Sequence, residues 1–311
     1  VDIGPVIDAE AKAGIEKHIQ AMRDKGRNVY QVAIADGEEI KRGTFVMPTL
    51  IELESFDELQ REIFGPVLHV VRYKRKEIDQ LIGQINASGY GLTLGVHTRI
   101  DETIAKVIDN VNAGNVYVNR NIVGAVGGVQ PFGGEGLSGT GPKAGGPLYL
   151  YRLLSTRPTD AIEQSFVRGD KLAAPDVRLR DAMSQSLTAL KTWADGNKFS
   201  ELSALCTQFA AQSQSGITRQ LAGPTGERNS YAILPREHVL CLADVEGDLL
   251  TQLAAVLAVG GSAVWPETEL TKALFPRLPK EIQAKIKRVA DWTKDDVVFD
   301  AVLHHGDSDQ L

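Results

Sequence analysis

Apolar positions recur along this chain with two periods, and their alternation divides it into elements. Ile15, Ile19 and Met22 share one face of a helix that Asp8 is placed to cap. Ile78, Leu81, Ile82 and Ile85 recur at i, i+3, i+4 and i+7, and Ile104, Val107, Ile108 and Val111 repeat that spacing. Short apolar runs at 67–73, 92–96 and 114–119 read as strands, the first of them buried. "GTFVMPTLI" (43–51) reads as an edge strand, because Pro48 has no N–H to give to a ladder. Strands alternating with helices predict an α/β fold with parallel sheets and flanking helices.

The pattern stops at residues 121–146, where glycine takes over and a loop is expected. A short apolar run returns at 148–154. A second α/β region follows, with a helical stripe of Leu202, Leu205, Cys206 and Phe209, strands at 238–243, 262–265 and 297–303, and a helix at 249–259. A chain of 311 residues is long enough for two domains. The expected division is 1–155, a Pro- and charge-rich linker at 156–175, and a second, Rossmann-like domain at 176–311.

Composition narrows the function classes. A net charge of −6 argues against a non-specific nucleic-acid surface, which needs clustered Lys and Arg. The nearest basic run, 72–76, reads as a solvated loop. Two cysteines, Cys206 and Cys241, make no disulfide framework and fit a reducing, cytoplasmic setting. The longest apolar stretch, 254–265, is shorter than the ~20 residues of a bilayer span, and no signal peptide is legible. His304 and His305 are adjacent in an expected strand, so they point to opposite faces and chelate poorly; no metal site is expected. A start at Val1 and an end just after a strand suggest a piece of a longer polypeptide.

Residues 134–139, "GEGLSG", fit G-x-G-x-x-G. A dinucleotide fingerprint needs a strand before it and a helix after it. Here Gln130-Pro131-Phe132 precedes and Thr140-Gly141-Pro142 follows, and no acidic partner stands some 20 residues on. The residues favour a different use. Glycines expose backbone amides to a ligand, and such a loop can hold a carboxylate. Ser138 and Thr140 would add hydroxyls.

Five ordered stretches carry a family resemblance: "GTFVMPTLI" (43–51), "EIFGPV" (62–67), "GYGLTLGVHT" (89–98), "AGNVYVNR" (113–120) and "QPFGGEGLSGTG" (130–141). Together they resemble the NAD(P)-dependent aldehyde dehydrogenases. "SGTGPKAGGPLYLYRL" (138–153) resembles the aldehyde anchor loop of the L-glutamate γ-semialdehyde dehydrogenases. The nearest branch is that of bifunctional proline-catabolic enzymes, which fuse this dehydrogenase to an FAD-dependent proline dehydrogenase. The resemblance implies oxidation of L-glutamate γ-semialdehyde (1-pyrroline-5-carboxylate) to L-glutamate with NAD.

It also implies residue roles. Glu62 would accept hydrogen bonds from the nicotinamide-side ribose, and Phe64 would pack against the nicotinamide end. Phe132 would line the aldehyde pocket. Gly145 and Gly146 would offer amides to the substrate carboxylate, with Ser138 supporting loop or ligand. The family attacks its aldehyde with a Cys thiolate and hydrolyses the thioester with a Glu-activated water. Cys206 lies on an apolar helical stripe and Cys241 in an apolar strand, and neither has the nucleophile's context. The family's nucleophile, general base and main NAD-binding segment lie upstream of the stretch this chain resembles, so this chain alone is expected to be inactive.

Residues 156–311 resemble the extra C-terminal domain of longer family members. There Trp265-Pro266 stands where the family has Lys-Pro, so the second domain is expected to be non-catalytic and not to bind NAD. Partners implied are a small-molecule substrate, a homo-oligomeric parent, peripheral membrane association of that parent, and DNA only through a module outside this chain. A structural or oligomerisation module built from degenerate dehydrogenase pieces is the rival reading.

Overall fold

A computed structural model describes residues 3–33, 42–127, 129–139, 141–146, 148–156, 177–221, 223–294 and 296–307, with side chains at 177–184 excepted. The chain forms two compact units. One comprises Val1–Ala125 and Phe132–Ala144; the other comprises Val126–Pro131 and Gly145–Leu311.

In the first unit, helix α1 (Ala9–Asp24) starts where Asp8 accepts a hydrogen bond from the Ala11 amide at 2.7 Å. Its buried face is Ile15, Ile19 and Met22, which pack with Val46, Ile51 and Leu53. The strands beneath are β1 (Val29–Gln31), β2 (Thr49–Leu53) and β3 (Val67–Val71). Strand β2 is central, antiparallel to β1 and parallel to β3. The edge-strand expectation is therefore corrected. Pro48 sits one residue before the ladder, and its carbonyl accepts from the Val32 amide at 3.0 Å, so its missing N–H costs β2 nothing. Strand β3 is also shorter and more open than expected, with Leu68 60% exposed. Tyr30, Leu50 and Leu68 are register partners on the sheet face away from the Ile51 side.

The helices expected from the two matching stripes are α2 (Ile78–Ala87) and α3 (Asp101–Asn110). Strands β4 (Tyr90–Gly91), β5 (Thr93–Val96) and β6 (Asn115–Val118) surround them. Strands β5 and β6 pair in parallel. The described residues among 121–146 hold a two-residue strand, β7 (Glu135–Gly136), antiparallel to β4, and an isolated bridge between Phe132 and Ala144.

The second unit begins its described helices with α4 (Val177–Gly196) and α5 (Ser200–Gln212), followed by a hairpin of β8 (Thr218–Leu221) and β9 (Asn229–Ala232). Then come β10 (His238–Ala243), α6 (Glu246–Val259), β11 (Ser262–Pro266), α7 (Glu269–Leu274), α8 (Lys280–Gln283), β12 (Ile286–Val289) and β13 (Ala301–His305). The four-stranded sheet runs β12-β11-β10-β13, all parallel. Counted within this sheet the order is 3-2-1-4, the Rossmann arrangement. Gly260, at φ +90°, ends α6 in the left-handed conformation that only glycine adopts cheaply. Fully buried Trp265 packs in one core with Leu190, Leu253, Leu257 and Leu274. Of the expected linker, residues 157–175 lie outside the described residues.

Candidate functional site

The residues singled out by sequence fall into three groups. Glu62 and Phe64 lie on the segment entering β3. Both are exposed, Phe64 by 77%. Backbone contacts shape this segment. The Pro66 carbonyl accepts from the Thr49 amide at 2.9 Å, joining the turn to β2. A Cβ on Gly65 would lie 2.5 Å from Ile15 Cδ1, so α1 presses directly on the turn. Upstream, Arg27 bridges Glu54 and Glu58, the latter at 2.9 Å. Behind β3, His18 of α1 and His69 bring their Nε2 atoms within 2.9 Å.

Phe132 and Ser138 belong to the glycine loop. Phe132 and Ala144 exchange two backbone hydrogen bonds, at 3.0 and 2.8 Å. Ser138 Oγ accepts from the Gly91 amide at 3.1 Å, which gives Ser138 a loop-supporting contact. Gly136 has φ +58°, and a Cβ there would lie 2.5 Å from the Gly89 carbonyl oxygen. Thr140 lies outside the described residues. The G-x-G-x-x-G stretch lies in a turn beside the two-residue β4–β7 pairing, and no helix follows it. A strand–turn–helix phosphate cradle is absent from these described residues.

Sequence reading missed Lys143. It is half-buried and donates to the carbonyls of Gly114 and Gly133, the latter at 2.8 Å. Burial lowers its pKa from the ordinary lysine value, with Glu135 opposing. The available signal was a cation inside a glycine-rich loop.

Gly145 and Gly146 lie in the second unit. Gly145 has φ +67° and open space around it. Among the described residues, neither amide donates to a backbone acceptor, while the Gly146 carbonyl accepts from the Tyr149 amide at 3.2 Å.

Elsewhere in the second unit the chemistry is closed off. Cys206 and Cys241 are both buried. Burial pushes their thiols up to about 11 and about 12, so neither thiolate forms readily near neutral pH. At the crevice between β10 and β13, the Gln252 amide donates to the Leu242 carbonyl at 2.8 Å and meets His305 Nδ1 at 3.0 Å. The first turn of α6 carries Glu246 and Asp248, and Glu246 is paired with Arg277 at 2.7 Å. Among the described residues no group of three His, Cys, Asp or Glu side chains is placed to hold a metal, and no helix is long and apolar enough to cross a membrane.

A family model described as the aldehyde dehydrogenase family matches residues 1–158. The chain is 61% identical over its whole length to the bifunctional protein PutA of Klebsiella aerogenes, and 59% identical to that of Escherichia coli K12. It spans 24% of the length of each. It is 36% identical, over 51% of its length and 30% of the relative's, to a 1-pyrroline-5-carboxylate dehydrogenase of Bacillus cereus. Among solved structures, a bifunctional proline utilization A protein matches 48% of this chain and 15% of its own, at 52% identity and a TM-score of 0.44.

Proposed function

This chain belongs to the aldehyde dehydrogenase family, and we propose that it is part of a bifunctional proline-catabolic enzyme whose dehydrogenase half oxidises L-glutamate γ-semialdehyde to L-glutamate with NAD. The observation that carries this reading is the 61% identity running through both units to a bifunctional protein PutA. The relative named 1-pyrroline-5-carboxylate dehydrogenase, similar over 51% of the chain, supports the same substrate.

In this reading Glu62 and Phe64 hold the cofactor. An exposed carboxylate suits a ribose diol, and a 77% exposed aromatic offers its face to the nicotinamide end. NAD, when bound, supplies the hydride acceptor. Phe132 lines the aldehyde site, Ser138 supports its loop, and the amides of Gly145 and Gly146 take the distant carboxylate. Anchoring that carboxylate orients the aldehyde and removes much of the entropic barrier to attack. The nucleophile comes from outside this chain, since both of its thiols are buried. FAD belongs to a proline dehydrogenase half, also outside it. Residues 176–311 are a non-catalytic support for a homo-oligomeric, cytoplasmic enzyme. Trp265 is fully buried where the family has a ribose-binding lysine, and Glu246 and Asp248 put negative charge where a pyrophosphate would need a helix N-terminus.

The test is NADH formation from L-glutamate γ-semialdehyde by the full-length protein and by this chain alone. Turnover by the full-length protein only is the expected result. Turnover by the chain alone would make Cys206 or Cys241 the nucleophile. Silence in both would favour the rival reading, a non-catalytic structural module, which the burial of both cysteines also suits.

A further inference from the structure

Lys143 is the single cation among residues 121–146. Its ammonium is spent on two carbonyls, those of Gly114 and Gly133. Gly114 precedes β6, and Gly133 follows Phe132 directly. The approach is so close that a Cβ on Gly114 would lie 1.9 Å from the Gly133 carbonyl oxygen and 2.8 Å from Lys143 Nζ. The amide of Gly133 is taken as well, by Asn115 Oδ1 at 3.1 Å. Both polar groups of Gly133 are thus tied to the start of β6, the carbonyl through Lys143 and the amide through Asn115. The next residue after Lys143, Ala144, is locked to Phe132 by the two-bond bridge. A half-buried carbonyl pair without a donor is costly, and a charged donor satisfies it best.

We infer that Lys143 is a positioning residue: its ammonium clamps the Phe132–Ala144 loop onto the start of β6, fixing Phe132 and the point from which the chain enters Gly145. The inference rests on the function proposed above and adds a residue to it. Lys143 touches neither substrate nor cofactor in this role. It acts through the backbone of the loop, so its removal should weaken use of a substrate that the loop must orient while sparing the cofactor site.

The test uses the full-length protein with Lys143→Met and Lys143→Arg. The Met variant should raise KM for L-glutamate γ-semialdehyde about tenfold or more, with KM for NAD held within about twofold. Its kcat/KM with propanal, which meets Phe132 but has no carboxylate to place, should fall by a smaller factor than that with the semialdehyde. The Arg variant, which keeps charged donors, should recover most of the loss. An unchanged KM for the semialdehyde overturns the inference, and so does an equal rise in KM for NAD. Should the Met variant fail to fold by thermal melting, Lys143→Gln replaces it: a KM raised about threefold supports the clamp and an unchanged KM overturns it. A wild-type protein silent toward the semialdehyde would overturn the proposed function instead. The clamp is then read from amide exchange at Phe132 and Ala144, expected at least about tenfold faster in Lys143→Met and overturned if unchanged.

Discussion

The two units build apolar cores of different size. In the second, a four-stranded parallel sheet carries helices whose stripes meet in one core, and Trp265, Leu253 and Leu257 are almost wholly buried. In the first, the sheets among the described residues have three, two and two strands, and Phe64, Leu68 and Leu137 stand largely exposed. In the Rossmann-like unit both thiols are buried, and Gln252 meets His305 at the end of β13. The open unit keeps carboxylate, aromatic ring and glycine loop at its surface.

The contrast can be broken first at Trp265. Trp265→Ala should destabilise the second unit by about 3–5 kcal/mol, because the vacated volume sits inside a dense core. Urea unfolding of the chain measures it, and a loss below about 1 kcal/mol would mean the unit is not sealed. Ile51→Ala, in the smaller core under α1, should cost about 2–4 kcal/mol in the same measurement. Phe64→Ala should change stability by less than about 0.5 kcal/mol, since the ring is mostly in solvent, while raising KM for NAD in the full-length protein.

A smaller effect is expected at the His18–His69 seam. Burial comes first in holding both imidazoles below 6.5, with Arg61 and Lys25 adding to it for His18, and His18 adding to it for His69. The unfolded chain therefore binds protons that the folded chain refuses. Stability present above pH 6.5 is lost as pH falls through the lowered values, and His69→Gln should flatten that slope in urea midpoints taken across the range. The smallest effect is at the thiols. Cys206→Ala and Cys241→Ala should leave NADH formation by the full-length protein unchanged, and a thiol reagent should react with either only on unfolding.

What was legible in the sequence was local. The Asp8 cap, the Ile15–Ile19–Met22 face and the two matching stripes lie within single helices, where spacing alone sets the geometry. The position of β2 within its sheet was not legible. Edge or centre depends on β1 and β3, and Pro48 misleads because it falls one residue short of the ladder. Helix α4 was missed although Leu187, Leu190 and Ala194 form its buried stripe, because the Pro- and charge-rich stretch before it suggested a linker. Glu62, Phe64, Phe132 and the glycines were reached through family motifs rather than through physics. Lys143 escaped both routes, since its partners Gly114 and Gly133 are brought to it only by the folded loop.

The strand order of the second unit also dictates a timetable. Strand β10 pairs with β11 through the short crossover of α6, but its other neighbour, β13, is made about sixty residues later. During synthesis at about 5–20 residues per second, the edge formed by Val239, Leu240 and Cys241 waits several seconds for Ala301–His305 to arrive. That interval is when a nascent chain is most open to pairing with the wrong strand.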